Sequence, residues 1–146
     1  MLQNFLENET FGGLMRGCLK EIINLLFKEG VHFSILANLE KVEFNPELPK
    51  ELTSKFKPIT MFVLAGYTFQ SGHIKEDSLI FEAGFGTENI GSIVSIPLDA
   101  ILQIAVEETP ILINLSIPKE ESKDRSFEEK SMEALLANPE NKKLFK

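Results

Sequence analysis

Residues 79–97 read Leu-Ile-Phe-Glu-Ala-Gly-Phe-Gly-Thr-Glu-Asn-Ile-Gly-Ser-Ile-Val-Ser-Ile-Pro. Their first seven residues alternate between the two sides of an extended chain, which predicts a β-strand. One face of this strand carries Phe81, Ala83 and Phe85. The opposite face carries Glu82 and Gly84. Turn residues at 86–91 and a second strand at 92–96 complete the pattern of a β-hairpin.

The segment before this hairpin also favours β-structure. Ile59–Phe69 is almost wholly apolar and rich in β-branched and aromatic residues, so we predict a central strand buried on much of both faces. Gly66 within it indicates a bulge or a close backbone approach. Shorter strands are predicted at 31–37, 42–44 and 111–115, a loop or helical turn at 49–56, and one or two helical turns at 97–105.

An amphipathic helix is predicted at residues 10–29, with Thr10 as N-cap and Gly30 as C-cap. Its apolar face is an unbroken i, i+3, i+4 series: Phe11, Leu14, Met15, Cys18, Leu19, Ile22, Ile23 and Leu26. We interpret Cys18 as a small core residue of that face. Gly13 and Gly17 lie four apart on the far side. The expected fold class is therefore mainly β with an N-terminal α-helix.

Composition narrows the class of function. The 146 residues are 43% hydrophobic and 25% charged, as in soluble globular proteins. The net charge of −7 lies within residues 1–117, which hold eight basic and fifteen acidic side chains, whereas residues 118–146 are balanced. An acidic domain repels phosphate, so nucleic acid and anionic membranes are disfavoured partners. With no long apolar run and no secretory signal, we expect a cytoplasmic protein with a domain at 1–117 and a linker, short helix and tail at 118–146.

Residues suited to catalysis are sparse. One cysteine and two histidines in different elements make no metal-ligand pair, and there is no nucleophile elbow or phosphate-binding loop. We therefore expect no enzymatic activity, no metal and no cofactor. Twelve phenylalanines without a tryptophan exceed the needs of one small core. Those that do not face the core would line an apolar groove for a peptide.

Two runs in the chain carry a family resemblance. The F-x-A-x-F-G run at Phe81–Gly86 and the V-S-I-P-L-x-A-I-L run at Val94–Leu102 follow the N-terminal helix in a characteristic order. Over about residues 11–115, the chain resembles the stringent starvation protein B (SspB) family, adaptors that deliver tagged proteins to the ClpXP protease. In this chain Glu88 stands where the family usually has basic character, and a helix is predicted at Ser126–Ala137 where the family has a long acidic linker.

The resemblance implies an Sm-like, SH3-type β-barrel, a homodimer and a groove for unstructured peptides such as the ssrA tag. It implies a peptide-binding set by position: Phe44, Leu48, Leu64, Ala65, Phe81, Ala83 and Phe85. It also implies a basic and apolar terminal motif that docks on the unfoldase ClpX, here Lys143, Leu144, Phe145 and Lys146.

Two other functions are compatible with parts of the sequence. A hotdog-fold acyl-thioester-binding protein or thioesterase also combines one long helix with a sheet, and it requires a strand before the helix, for which only residues 1–6 are available. An Sm-like RNA-binding protein is disfavoured by the acidic domain.

Overall fold

The computed structural model describes residues 1–118. Its four α-helices are α1 (Leu2–Leu6), α2 (Glu9–Glu29), α3 (Lys50–Thr53) and α4 (Gly66–Ser71). Its eight strands are β1 (Phe33–Asn38), β2 (Glu43–Asn45), β3 (Ile59–Leu64), β4 (His73–Lys75), β5 (Ser78–Phe85), β6 (Ile90–Pro97), β7 (Ile101–Val106) and β8 (Thr109–Ile113). The predicted short helix at 126–137 and the docking motif at 143–146 lie outside the described residues.

The strands form two four-stranded antiparallel sheets. Sheet A has the order β3-β1-β7-β8, and sheet B has the order β2-β6-β5-β4. The prediction of a mainly β protein with an N-terminal helix is thus confirmed. Within residues 1–118 no strand pairs across the two sheets, so the closed barrel that the resemblance implies is not found.

A single core lies between the inner faces of the sheets and α2. Alternate residues of β1 point into it, as do Leu79 and Phe81 of β5. The helix adds three fully or nearly fully buried side chains, Leu19, Ile23 and Leu26. Buried residues occur only at every second position of β1 and β3 in sheet A and of β5 and β6 in sheet B, so the outer faces of both sheets are left toward solvent.

The long helix begins and packs slightly differently from the prediction. Its N-cap is Asn8, not Thr10, because the Asn8 side chain accepts a hydrogen bond from the Phe11 N–H at 3.0 Å. The C-cap at Gly30, in the left-handed conformation at φ 70°, is confirmed. Cys18 is exposed, so its interpretation as a core residue was wrong. Only the narrow stripe centred on Leu19 and Ile23 reaches the core, and Cys18 lies beside it.

The long apolar segment after residue 58 contains both a strand and a helix. The predicted strand at Ile59–Phe69 ends at Leu64, and α4 begins at Gly66, whose positive φ of 58° turns the chain. The prediction of a bulge or a close backbone approach there was wrong, since no atom lies within 4 Å of a Cβ built on Gly66. The strand β3 lies at the edge of sheet A, and its residues alternate between exposed and buried. The prediction of burial on both faces was also wrong, because no described element covers the outer face.

Residues 97–105 were predicted as helical turns, and most of them are a strand. A 3₁₀ turn at Leu98–Ala100 leads into β7, which pairs with β1 on one side and β8 on the other. Backbone pairing on both sides outweighs the weak helical periodicity of this segment. The strand that a hotdog fold requires at residues 1–6 is instead helix α1. None of the helices within residues 1–118 is long and apolar enough to cross a membrane.

Candidate functional site

The outer face of sheet B contains a hollow with a floor of small residues. In the pairing register, Asn45 lies opposite Ile93, and Ile93 lies opposite Glu82. Two positions further along β5, Gly84 lies opposite Gly91. Side chains alternate along a strand, so these residues share one face of the sheet. The facing glycine pair has no side chains: the Asn89 side chain covers Gly84, whereas no atom lies within 4 Å of a Cβ built on Gly91, which leaves a depression there.

The depression is part of an open groove of about 580 Å³. We call it the sheet B groove. It is lined by Asn45, Pro46, Tyr67, Thr68, Glu82, Ala83, Gly84, Asn89, Gly91, Ser92 and Ile93. The lining combines amide, hydroxyl and carboxylate groups with the apolar Ile93 and Pro46, so the groove can take a ligand with both backbone polar groups and apolar atoms.

One wall of the groove comes from α4. The Ser71 hydroxyl, in the last turn of this helix, accepts a hydrogen bond from the Glu82 N–H at 2.9 Å. Strand β4 pairs with β5 only as far as Ile80, so beyond that point α4 takes its place at the edge of β5. This attachment places Tyr67 and Thr68, from the first turn of α4, along the groove.

The opposite wall is the end of β2. The Ser92 hydroxyl donates a hydrogen bond to the Pro46 carbonyl at 2.9 Å, which joins this wall to β6. Ser92 itself is buried, so the bond is shielded from water and holds the two segments together. The Asn45–Pro46 peptide bond is cis.

The turn between β5 and β6 closes one end of the groove. Asn89 in this turn has a positive φ of 52°, a conformation that asparagine tolerates better than most residues. Its side chain lies directly over Gly84, since a Cβ built on Gly84 would come 1.8 Å from Asn89 Oδ1. The glycine at position 84 is therefore what allows Asn89 to sit there.

A hydrogen bond between Tyr67 and Glu82 crosses the groove. The Tyr67 hydroxyl donates to Glu82 Oε2 at 2.5 Å. This hydrogen bond, followed by the negative charge of Glu82, stabilises the neutral phenol and raises the pKa of Tyr67 above its ordinary value. Glu82 is the charged member of the lining, so the groove presents an oriented carboxylate.

The seven predicted peptide-binding residues occupy three environments. Ala83 lines the sheet B groove. Leu48, Leu64 and Phe81 are buried beneath the surface. Phe44, Ala65 and Phe85 are half-buried, and the rings of Phe44 and Phe85 pack edge to face with centroids 5.5 Å apart. The phenylalanine face of the hairpin is thus the inner face of sheet B, and the groove lies on the opposite face. Ala83 borders the groove, but alternation places its side chain on the inner face with Phe81 and Phe85.

Sequence reasoning did not select Tyr67, Asn89 or Ile93, and it gave Glu82 no role in binding. A signal for the correct face was present, because Glu82 and Gly84 alternate with the phenylalanines and so must lie on the other side of the strand. No such signal indicated the wall formed by α4, because the predicted strand at Ile59–Phe69 includes the first residues of this helix.

The other polar features of the described residues are less suited to binding a ligand. Within residues 1–118 no group of three His, Cys, Asp or Glu side chains is placed to hold a metal ion. A second open hollow, of about 470 Å³, lies at the junction of α1 and α2. It is lined by Asn4, Glu7, Asn8, Glu9 and Thr10. The His32 ring packs edge-on against Phe69, with centroids 4.9 Å apart, and His73 is exposed in β4.

No protein-family model matches the chain, and no curated protein matches it.

Proposed function

We propose that this protein is a non-enzymatic, cytoplasmic adaptor that captures unstructured, degradation-tagged peptides in the sheet B groove and delivers them to the ClpXP protease. The observation that carries the proposal is the open groove beside Ala83, with free space above Gly91 and two anchored walls. Its volume of about 580 Å³ lies within the range of ligand-binding pockets, roughly 300–1,000 Å³.

The shape of the groove favours an extended chain. It is open over the face of a sheet, so an extended segment of polypeptide can lie in it, with the β5–β6 turn at one end. Its hydrogen-bonding groups come from both walls, at Asn45 and Thr68, and from the carboxylate between them. Alternating polar and apolar contacts of this kind suit an extended peptide, whose side chains point to alternate sides.

The position of Ala83 links the groove to the resemblance. Ala83 is the central residue of the F-x-A-x-F-G run and borders the groove. Its side chain lies on the inner face, and its neighbours Glu82 and Gly84 are the residues of the run that face the groove. Two facing sheets with an N-terminal helix are compatible with an open form of the Sm-like barrel of the SspB family, and we propose that the chain has this form. We further propose that the protein forms a homodimer and that the 143–146 motif docks on ClpX.

Peptide binding is tested first. A fluorescein-labelled ssrA peptide is titrated with the wild-type protein and with Ile93→Arg, which places a long charged side chain on the groove floor. Fluorescence anisotropy is expected to show saturable binding by the wild type and a loss of at least about tenfold in the variant. The matched control is Met61→Arg on the outer face of sheet A, which should bind as the wild type does. Equal affinity of the peptide for all three proteins contradicts the proposed site.

Delivery is tested separately with purified ClpXP and an ssrA-tagged fluorescent protein at a substrate concentration below saturation. The full chain is expected to accelerate the loss of fluorescence. A chain lacking residues 144–146 is expected to bind the peptide normally without accelerating degradation. If the full chain binds the peptide but does not accelerate degradation, the result supports peptide binding and contradicts ClpXP as the partner.

A further inference from the structure

We propose that residues 126–137 dock as a helix on the outer face of sheet A, so that this chain supplies its own cover for the apolar surface there. The inference does not depend on peptide binding in the sheet B groove. It starts from the exposed side chains of sheet A, which residues 1–118 leave toward solvent.

One row of residues on this face crosses all four strands without a charge. Met61 of β3 lies opposite Leu36 of β1. Leu36 lies opposite Gln103 of β7, which in turn lies opposite Ile113 of β8. Met61 and Ile113, at the two edges of the sheet, are 60% and 54% exposed. A contiguous apolar surface of this kind favours contact with another apolar surface over contact with water.

The size of the face favours a single helix over a second copy of the chain. Its strands have five or six residues, so the face is about 20 Å long and, with four strands, about 19 Å wide. This area of roughly 400 Å² is about half of the roughly 800 Å² that each partner buries in a standard interface. A helix over residues 126–137 would be about 18 Å long, which matches the length of the strands.

The sequence after residue 118 supplies a segment with the required pattern. Its capping box and its apolar spacing predict the helix at Ser126–Ala137. Met132, Leu135 and Leu136 lie on one side of that predicted helix. A helix that presents one apolar side is stabilised when that side packs against the apolar face of a sheet.

The connection to this segment begins near the face and is long enough to reach it. Strand β8 is an edge of sheet A, and it ends only five residues before Pro118. The Ile117 N–H donates a hydrogen bond to the Leu6 carbonyl at 2.7 Å, which fixes the start of the connection. Residues 119–125 span up to about 24 Å when extended, which exceeds the width of the sheet. The tether also keeps the local concentration of the segment high.

Docking at this position leaves the sheet B groove accessible. The two sheets enclose the core between their inner faces, so the outer face of sheet A lies on the far side of the core from the groove. Residues 138–146 would then extend from the side of the molecule opposite the groove. A peptide in the groove and a docked segment would not compete for the same surface.

The experiment measures how far the segment protects a thiol on this face. Cys18 is the only cysteine and is exposed, so it is first replaced by serine. In this full-length background, Val63→Cys places a thiol on the outer face of β3, where Val63 is 57% exposed. The rate of labelling by dithionitrobenzoate is compared with and without Leu135→Glu. The matched control is Ala134→Glu, which adds the same charge on the other side of the predicted helix.

Two further controls accompany these variants. Ile93→Cys on sheet B reports a thiol remote from the proposed contact, and circular dichroism checks that each protein is folded. The tethered contact is small and reversible, so the labelling rate reports the fraction of docked molecules rather than the free energy of unfolding.

Leu135→Glu is expected to accelerate the labelling of position 63 about fivefold, because a segment docked about four-fifths of the time protects the thiol by that factor. Ala134→Glu should leave this rate unchanged, and position 93 should be labelled at one rate throughout. Equal rates at position 63 in all three proteins overturn the inference. Protection that grows with protein concentration and survives Leu135→Glu also overturns it, because a second copy then covers the face. A rate that rises only when residues 144–146 are removed assigns the face to the terminal motif and overturns it as well.

Discussion

The outer faces of the two sheets differ sharply, although their inner faces share one core. None of the four strands of sheet A contains a charged residue. Its outer face instead exposes large apolar side chains at both edges: Met61 and Val63 on β3, and Ile111 and Ile113 on β8. The outer face of sheet B carries Glu43, Glu82 and Lys75, together with the glycine pair and the groove.

The difference shows that apolar content and burial are separate properties of a strand. Sheet A has the more apolar strands, yet Met61 is 60% exposed. Sheet B has the more polar strands, yet the side chain of Phe81 is almost fully buried. The inner faces are apolar because they form the core. The outer faces are free to differ, and the groove occurs on the polar one.

The largest loss of stability is expected from substitutions on the inner faces, where the two sheets are alike. Leu64→Ala in sheet A should reduce the free energy of unfolding by about 2–5 kcal/mol, and Phe81→Ala in sheet B by about 3–5 kcal/mol. Both side chains are buried in the shared core, so each variant should still unfold in a single transition. Urea denaturation followed by circular dichroism measures both quantities. Two separate transitions would show that the sheets do not share one cooperative core.

Substitutions on the two outer faces should differ in their effect on peptide affinity. Gly84→Val places a β-branched side chain on the groove floor, where even a Cβ meets Asn89 Oδ1 at 1.8 Å. We expect the affinity for the ssrA peptide to fall by about tenfold, because the valine displaces the Asn89 side chain from its position in the groove lining. The control is Ser34→Val, at the outer face of β1 in sheet A, whose peptide affinity should not change. Equal losses in both variants would point to a general change in the fold.

The hydrogen bond in the groove can be measured directly. Tyr67 is the only tyrosine of a chain without tryptophan, so absorbance at 295 nm reports the ionisation of this residue. Its pKa should lie above the ordinary value of about 10 and should fall in Glu82→Gln, where the negative acceptor is gone. The hydrogen bond to the neutral phenol is present below that pKa and is lost as the pH rises through it. An unchanged midpoint in the variant would mean that the two side chains do not interact in solution.

The smallest effect is expected on the outer face of sheet A. Met61→Thr and Val63→Thr should each change the free energy of unfolding by no more than about 0.5 kcal/mol, because both side chains are largely exposed. The same urea titration measures this. A loss above about 1 kcal/mol would be that of a buried side chain and would contradict the exposed face of sheet A.

Local patterns predicted the elements that depend on near neighbours in the chain. The helix at residues 10–29 follows from its 3.6-residue period and from Gly30 at its end. The hairpin that includes Phe81 follows from alternation around a turn. By contrast, the prediction of helical turns at residues 97–105 was wrong for most of the segment. The strand there is stabilised by pairing with residues far away in sequence, which local periodicity does not reveal.

For the candidate site, the alternation of residues along a strand establishes which side chains share a face. Alternation groups Phe81 with Ala83 and Phe85, and it groups Glu82 with Gly84, whatever the tertiary structure. It does not determine which group faces inward, because that depends on the other sheet and on α2. Only the tertiary structure placed the phenylalanines in the core, and only it brought Tyr67 to Glu82 across the chain. Periodicity is a property of one strand, whereas a groove is made by the elements that meet around it.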